Sequence, residues 1–349
     1  MDPIIAAEYD TELIHLDNAA TGLIPARAAA AVREALDGLT GRRAIGASQH
    51  EAVAAAREAF ARIEGVPADR VAVGSSVSVH VALVAGSLPA GAEVLVADGD
   101  FSSLVNPFAV RRDLRMRSVP LERMAEEVRE GTALVAVSSV QFTDGRLTDL
   151  DAIGKAARAH GARTLVDTTQ GTGWRPPAAA DFDVTVCGAY KWLLCPRGAS
   201  FLTVSQEAQE WLTAANAGWM GGEVPGQSTV GVVRLADTAR RYDQSAPFLP
   251  YIAGQHSLAM LADLGHERVG AHNTALADRF RAGLVALGHE PLPAPGSAIV
   301  TTPALAHAVP ALAAAGITAS DRGGLRCGFH VYNTEANVDR ALEVLSAGA

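Results

Sequence analysis

Short apolar, β-branched runs alternate with helical patterns along most of this 349-residue chain, and the alternation decides its fold class. Helical segments separate several of the runs. One of them opens at Pro25, where the missing N–H of proline is harmless, and ends near Leu39. Parallel strands need helical crossovers, so the pattern predicts an α/β fold with a mostly parallel sheet covered by helices. The predicted strands span residues 70–73, 93–97, 114–118, 133–138, 163–167, 183–187 and 199–204.

The chain is long enough to form a large domain and a smaller one. A long helical stretch from about 255 to 288 leads into a smaller α+β region that runs to the C-terminus. We predict a large domain at 21–254, a connecting helix region at 255–288 and a small C-terminal domain at 289–349, which the N-terminal segment 1–20 joins.

Charge and composition exclude several classes of function. The net charge of −9, with no basic patch to offset it, predicts no nucleic-acid partner. No apolar run reaches 18 residues and the N-terminus is acidic, so we expect neither a membrane span nor a basic signal sequence. The three cysteines, Cys187, Cys195 and Cys327, have neither metal-ligand nor disulfide-framework spacing. We therefore expect a cytoplasmic protein without a metal site.

Lysine is rare in this chain, because 27 of the 29 basic residues are arginine and the two lysines are Lys155 and Lys191. Lys191 lies in an otherwise almost wholly apolar segment, residues 187–194. Burial lowers the pKa of an amine, and a neutral amine can attack a carbonyl and hold an aldehyde cofactor as a Schiff base. A lysine that only snorkels from the end of a strand is the plainer alternative. Lys155 lies on a helix that we expect to face solvent.

A carboxylate upstream of Lys191 favours the interpretation that this lysine holds an aldehyde cofactor. Asp167 ends the predicted strand at 163–167, and ligands of α/β sheets collect at the carboxyl ends of strands. Such an Asp can keep the ring nitrogen of pyridoxal phosphate protonated while a lysine binds the aldehyde, and Gln170 could hydrogen-bond the ring 3-hydroxyl. A strand-final Asp by itself more often caps the following helix. The pair of Asp167 and Lys191 therefore predicts pyridoxal 5′-phosphate as the cofactor.

Three segments carry a specific family resemblance. They read LVDTTQGTGW at 165–174, AYKWLLCPRG at 189–198 and GGLRCGFHVYNTEANVDRAL at 323–342. In these segments the chain resembles the class V aminotransferase family of fold-type I pyridoxal-phosphate enzymes, which includes cysteine desulfurases, kynureninases, isopenicillin N epimerase-like proteins and carbon–sulfur lyases. The resemblance runs from His15 to Thr334, which is nearly the whole chain. It implies that residues 21–254 form the cofactor-binding domain.

The resemblance assigns further residues to the cofactor. Ser75 and Ser76 follow a predicted strand and open a helix, whose positive end and N–H groups suit a phosphate, and they match the family's phosphate loop in position. Tyr190 matches a kynureninase-like pattern in which the tyrosine hydroxyl contacts the phosphate, whereas desulfurases have histidine there. Phe101 falls where desulfurases carry a histidine that stacks on the cofactor ring. A phenylalanine can stack there but cannot exchange protons with the substrate.

The resemblance also concerns the substrate and the assembly. Arg326 matches the arginine that, in related enzymes, pairs with the α-carboxylate of an amino-acid substrate, a geometry that suits guanidinium. An ordinary salt bridge on a strand is the alternative. Residues 242–247 align loosely with a segment that reaches the cofactor of the partner subunit, so we expect a homodimer with shared active sites.

The exact reaction stays open between several hypotheses. Desulfurases use a cysteine nucleophile on a loop before the arginine, but residues 291–320 contain no cysteine, and Tyr190 and Phe101 also depart from the desulfurase pattern. We therefore favour β-elimination from a cysteine S-conjugate, a carbon–sulfur lyase reaction. Transamination is the close alternative, and racemisation or epimerisation is the third hypothesis. A catalytically silent interaction protein that binds pyridoxal phosphate is the hypothesis from another class.

Overall fold

The structure, a computed structural model, describes residues 3–9, 12–41, 48–224 and 234–347. None of the helices in these ranges is long and apolar enough to cross a membrane. The helices are α1 (Pro3–Glu8), α2 (Ala26–Leu39), α3 (Ser48–Glu64), α4 (Val77–Ser87), α5 (Ser102–Ala109), α6 (Met124–Glu127), α7 (Leu150–His160), α8 (Ala208–Trp211), α9 (Phe248–Leu264), α10 (His266–Ala286), α11 (Val309–Ala314) and α12 (Glu335–Ala347). The strands are β1 (Ile14–His15), β2 (Val71–Gly74), β3 (Glu93–Ala97), β4 (Arg115–Val119), β5 (Thr132–Ser138), β6 (Arg163–Asp167), β7 (Val184–Gly188), β8 (Ser200–Val204), β9 (Ile299–Thr302), β10 (Ile317–Thr318), β11 (Ser320–Asp321) and β12 (Leu325–Gly328).

Seven strands form the central sheet, in the order β2-β8-β7-β6-β5-β3-β4. β8 runs antiparallel to both of its neighbours, and every other neighbouring pair is parallel. Each of the seven predicted strands is present and starts within one residue of its predicted position, and α2 begins directly after Pro25. The prediction of an α/β fold with a mostly parallel sheet covered by helices is confirmed.

Both faces of the sheet are covered, as expected for strands that are apolar on both sides. In β5, Leu134 and Ala136 pack into an apolar cluster with α4 and α5. The intervening Val135 and Val137 pack with α6 and α7 on the other face, because successive side chains of a strand point to opposite sides. With both faces closed, the edge where the parallel strands end is the place left for a ligand.

The predicted helical stretch at 255–288 is wrong in its extent. Helix α9 begins earlier, at Phe248, and α10 ends at Ala286. Gly265 separates the two helices with a φ of +78°, a left-handed backbone conformation that glycine adopts without a steric penalty. The break lets the chain change its packing partners, since α9 packs against α2 and α3 whereas α10 packs against α12.

The C-terminal part of the chain contains two small sheets. One is antiparallel, in the order β11-β12-β9, and in the other β10 pairs in parallel with β1. Leu16, Phe280 and Phe329 share the apolar cluster of this part, so the N-terminal strand and the C-terminal strands have a common core. The domain boundaries at 20, 254 and 288 stay predictions.

Residues 17–22, which we call the N-terminal strap, join the C-terminal part to the loop that carries Lys191. Asp17 forms a parallel bridge with Gly328, the last residue of β12. At the other end of the strap, the N–H of Gly22 donates to the carbonyl oxygen of Tyr190 at 2.9 Å. The strap is therefore packed between the two segments that hold the predicted catalytic lysine and the predicted substrate arginine.

We predict that Gly22→Ala destabilises the protein, because a Cβ at this position would lie 2.1 Å from the carbonyl oxygen of Lys191 and 2.7 Å from Leu194 Cδ2. Overpacking against a backbone atom costs about 2 kcal/mol or more, which should lower the thermal unfolding midpoint by roughly 5 °C. Gly86→Ala is the matched control, since no atom of the described residues lies within 4 Å of a Cβ built at this position. Equal melting temperatures for the two variants would contradict the prediction.

Candidate active site

A cavity of about 310 Å³ opens where the parallel strands end, and its lining includes all seven residues predicted to hold the cofactor. A larger cavity, of about 420 Å³ beside α7, is lined by none of the predicted site residues. The predicted residues around the first cavity are Ser75, Ser76, Phe101, Asp167, Gln170, Tyr190 and Lys191, and the others are Val77, Ser103, Ser138, Phe142, Thr169, Gly188, Arg197, Gly198 and Ala199.

Lys191 lies three residues beyond the end of β7 and is only 6% exposed. Its Nζ is 5.2 Å from the centroid of the Phe101 ring. Burial lowers the pKa of Lys191 to about 8, although the nearby Asp167 carboxylate opposes this shift. Lys155 differs as predicted, because it faces solvent and pairs with Asp151 at 2.6 Å. Lys191 is therefore the lysine that can supply a neutral amine near neutral pH.

Asp167 is the last residue of β6 and is 4% exposed. The backbone N–H of Thr169 donates to its Oδ1 at 2.9 Å. Burial raises the pKa of Asp167 to about 6, against the opposing effects of Thr169 and Lys191. A buried carboxylate that is still ionised at neutral pH is costly unless a cation pairs with it. A protonated ring nitrogen would be such a cation.

The turn between β2 and α4 contains Ser75 and Ser76. Ser76 is the N-cap residue of α4, but its side chain makes no capping hydrogen bond and instead contacts Ser78 Oγ at 3.3 Å. A helix N-terminus without a side-chain cap leaves backbone N–H groups for an anion. Ser75 Oγ donates to Gln244 Oε1 at 3.1 Å. The segment predicted to reach a partner subunit thus also contacts the turn of its own chain.

Phe101 is held in place by Asp100, the residue before it. The Asp100 carboxylate accepts the N–H of Phe101 at 2.7 Å, and it also accepts the N–H of Ser138 at 2.8 Å and the hydroxyl of Ser138 at 2.5 Å. The Phe101 ring meets the ring of Phe142 edge to face, with centroids 4.9 Å apart. The sequence predicted Phe101 as a stacking residue but assigned no role to Asp100.

Tyr190 and Arg197 line the same cavity and contact each other. The Arg197 guanidinium lies 4.0 Å from the centroid of the Tyr190 ring, which is cation–π geometry. Arg197 is exposed, and its positive charge contributes to the lowered pKa of Lys191. A cation on the wall of this cavity favours an anionic group of a ligand.

Arg326 does not line the cavity, and it is 2% exposed. Its guanidinium donates to Asp17 Oδ1 and Ser320 Oγ, both at 3.1 Å, and to the carbonyl oxygen of Phe142 at 2.6 Å. Among the described residues, its Nε finds no hydrogen-bond partner. The strand salt bridge, which was the alternative interpretation, is therefore present. The charge of Arg326 still reaches the cavity, because it lowers the pKa of Lys191.

The three cysteines of the chain lie outside the cavity. Cys187, Cys195 and Cys327 are each at most 2% exposed and belong to apolar clusters. Burial raises the pKa of each thiol well above its usual value. Cys327 packs in the C-terminal core, and Arg326, the residue before it on β12, points to the opposite face of the strand. These thiols are poor nucleophiles in this setting.

Sequence reasoning did not assign several residues that line the cavity, among them Ser138, Phe142, Thr169 and Arg197. Ser138 ends β5 as Asp167 ends β6, so the strand-end rule could have found it. Phe142 and Arg197 lie in loops, whose path no periodicity predicts.

The family profile described as aminotransferase class V matches residues 14–341. The chain belongs to this family. It is 26% identical to the uncharacterized aminotransferase YcbU of Bacillus subtilis over 84% of this chain and 82% of YcbU. It is 28% identical to an isopenicillin N epimerase of Amycolatopsis lactamdurans over 96% of each chain. The solved structure of the cystine C–S lyase C-DES has the same fold, with a TM-score of 0.85 over 96% of this chain and 98% of C-DES at 20% identity.

Membership of the class V family makes the protein a fold-type I enzyme with pyridoxal 5′-phosphate as its cofactor. The donor set of the cavity fits this group, because it combines an uncapped helix N-terminus at Ser76, a buried carboxylate at Asp167 and a buried amine at Lys191. Gly188 lies in the wall of the cavity, where a Cβ would meet the Tyr190 ring at 3.3 Å. The reactions of the relatives differ, so the family alone does not identify the reaction.

The charges around Lys191 predict a pH dependence of its reactivity in the cofactor-free protein. Labelling of Lys191 by an amine reagent should rise with a midpoint near pH 8, because only the neutral amine reacts. Asp167→Asn removes a charge that raises the pKa of Lys191, so its midpoint should move to lower pH. Arg197→Gln removes a charge that lowers this pKa, so its midpoint should move to higher pH. Mass spectrometry of the peptide that contains Lys191 measures both shifts, and shifts in the opposite directions would contradict the assignment.

Proposed function

We propose that this protein is a carbon–sulfur lyase that eliminates the β-substituent of a cysteine S-conjugate or a related amino acid. One observation carries the proposal: Lys191 lines the cavity as its amine base, while every cysteine of the chain is buried away from the cavity. A persulfide-forming desulfurase needs a thiol that reaches the substrate. An elimination needs only a base that removes the proton from Cα.

Pyridoxal phosphate, when bound, supplies an aldehyde that condenses with the amino group of the substrate and a ring that withdraws electrons from Cα. Lys191 Nζ would take the Cα proton of the substrate. The electron pair of the Cα–H bond forms a Cα=Cβ bond while the Cβ–S bond breaks, and the sulfur leaves as a thiolate. The 2-aminoacrylate that is released reacts with water to give pyruvate and ammonia.

The other residues of the site support this proton transfer. Asp167 holds a proton at the ring nitrogen, because a buried carboxylate is stabilised by a cation. The N-terminus of α4 and the hydroxyls of Ser75 and Ser76 bind the phosphate. Arg326 binds the substrate α-carboxylate once that carboxylate replaces Asp17, which now occupies the guanidinium.

Transamination is the second candidate, because it would use the same lysine as base and needs no leaving group on Cβ. Epimerisation needs an acid on the face of Cα opposite the base. Among the described residues that line the cavity, the titratable side chains are Asp167, Tyr190, Lys191 and Arg197, and the wall contributed by Phe101 and Phe142 is aromatic. This lining favours a mechanism with one base.

We predict that pyridoxal phosphate is attached to Lys191. Borohydride reduction of the cofactor-loaded protein, followed by peptide mapping, should place the adduct on Lys191, since Lys155 is exposed and paired with Asp151. Lys155→Arg should keep the adduct, and Lys191→Arg should lose it. An adduct on Lys155, or none in loaded protein, would refute the assignment.

The products distinguish the proposed reactions. We expect cysteine S-conjugates to yield thiol, pyruvate and ammonia in equal amounts, whereas a transaminase would give a 2-oxo acid that keeps its sulfur substituent and an aminated cofactor. Lys191→Arg should lower turnover by about 100-fold or more, the usual contribution of a positioned base. Inertness toward the whole panel of amino acids would favour the silent binding protein.

A triple variant tests the role of the thiols. Cys187→Ala, Cys195→Ala and Cys327→Ala together should keep most of the lyase activity, because no thiol attacks the substrate. Cofactor absorbance and the thermal unfolding midpoint show whether the variant is folded and loaded. A folded, loaded variant without activity would overturn the lyase proposal in favour of persulfide chemistry.

A further inference from the structure

The side-chain amide of Gln170 is held from two sides. The indole N–H of Trp192 donates to Gln170 Oε1 at 2.7 Å, and Gln170 Nε2 donates to the carbonyl oxygen of Ala19 in the N-terminal strap at 3.0 Å. Gln170 and Trp192 are 4% and 1% exposed, so water does not compete for either bond. A second indole, that of Trp174, donates to the backbone carbonyl oxygen of Gln170 at 2.8 Å.

The indole of Trp192 and the carbonyl oxygen of Ala19 together fix the orientation of the Gln170 side-chain amide. An indole N–H can only donate and a backbone carbonyl can only accept, so a turned amide would set N–H against N–H and oxygen against oxygen. The amide nitrogen carries two N–H groups, and Ala19 accepts one of them. Because Gln170 lines the cofactor cavity, the fixed amide offers the ligand a donor.

Trp192 is itself fixed by His330. His330 Nδ1 accepts the N–H of Val331 at 2.7 Å, which leaves the ring proton on Nε2, and Nε2 donates to the carbonyl oxygen of Trp192 at 3.0 Å. The two rings are stacked, with centroids 5.5 Å apart. Burial lowers the pKa of His330 to about 4, so the ring stays neutral and keeps this arrangement at working pH. A chain of contacts therefore runs from the C-terminal part to Gln170.

We propose that Trp192 is a positioning residue, held by His330, that orients the Gln170 amide so that it donates an N–H to the ring oxygen of pyridoxal phosphate. This inference rests on the cofactor site at Lys191 and not on the lyase reaction. A donated N–H stabilises an anionic ring oxygen, whereas the amide oxygen would repel it. Without the indole donor, only the carbonyl oxygen of Ala19 still favours this orientation, so the turned amide becomes more populated.

The pH titration of the absorbance of the bound cofactor tests this proposal without any substrate. Trp192→Phe keeps an aromatic ring but removes the N–H donor, so the midpoint should rise by about one pH unit, as one hydrogen bond to a charged oxygen would give. Trp174→Phe is the matched control, because it removes an indole donor to the backbone of the same residue. It should leave the midpoint unchanged.

A double-mutant cycle shows whether Trp192 acts through Gln170. Gln170→Ala should raise the midpoint by itself, and adding Trp192→Phe to it should cause no further shift. Trp192→His keeps a ring N–H, so its midpoint should lie closer to the wild-type value than the midpoint of Trp192→Phe does.

An unchanged midpoint in Gln170→Ala overturns the proposal even if Trp192→Phe does not fold. Equal shifts in Trp192→Phe and Trp174→Phe, or additive shifts in the double variant, overturn it as well. The borohydride adduct at Lys191, measured on the same samples, separates this outcome from a failure of the cofactor assignment.

Discussion

The N-terminal strap is the contact on which the architecture of the site depends. Its backbone bridges Gly328 at the end of β12 and reaches the carbonyl oxygen of Tyr190 in the loop that carries Lys191. Its Asp17 carboxylate also neutralises Arg326, whose guanidinium is almost fully buried. Removing that carboxylate would leave a buried cation without a counter-ion, which is costly. A short segment near the chain start thus fixes the position of both the lysine loop and the arginine strand.

Burial is the second determinant of the chemistry. Lys191 and Asp167 are shielded from water by the sheet and by the aromatic residues of the cavity wall, and their pKa values are shifted toward each other, to about 8 and about 6. Two groups in such an environment exchange protons with a ligand near neutral pH more readily than they would in water. The scaffold creates this environment by placing Asp167 at the end of the buried strand β6 and Lys191 in the buried loop that follows β7.

The sequence predicted the parts of the structure that depend on local patterns. The strand positions followed from apolar periodicity. Asp167 stood out because it ends such a run, and Lys191 stood out because it is a rare lysine inside an apolar segment. The break at Gly265 was not predicted, because helical periodicity continues on both sides of one glycine. The contacts of Arg326 with Asp17 and of Gln170 with Ala19 join residues 309 and 151 positions apart. Such distant contacts depend on how the finished layers meet, which no local pattern contains.

The scarcity of lysine has a consequence for how the protein meets its own cofactor. A free aldehyde condenses with accessible neutral amines, while the guanidinium of arginine stays protonated and does not compete. Only Lys155 adds a second side-chain amine, and its ammonium group is engaged by Asp151 on the surface. The exterior thus presents few amines to an aldehyde. Loading with excess pyridoxal phosphate should give few adducts beyond the one at Lys191, in contrast to the scattered surface adducts that a lysine-rich enzyme acquires.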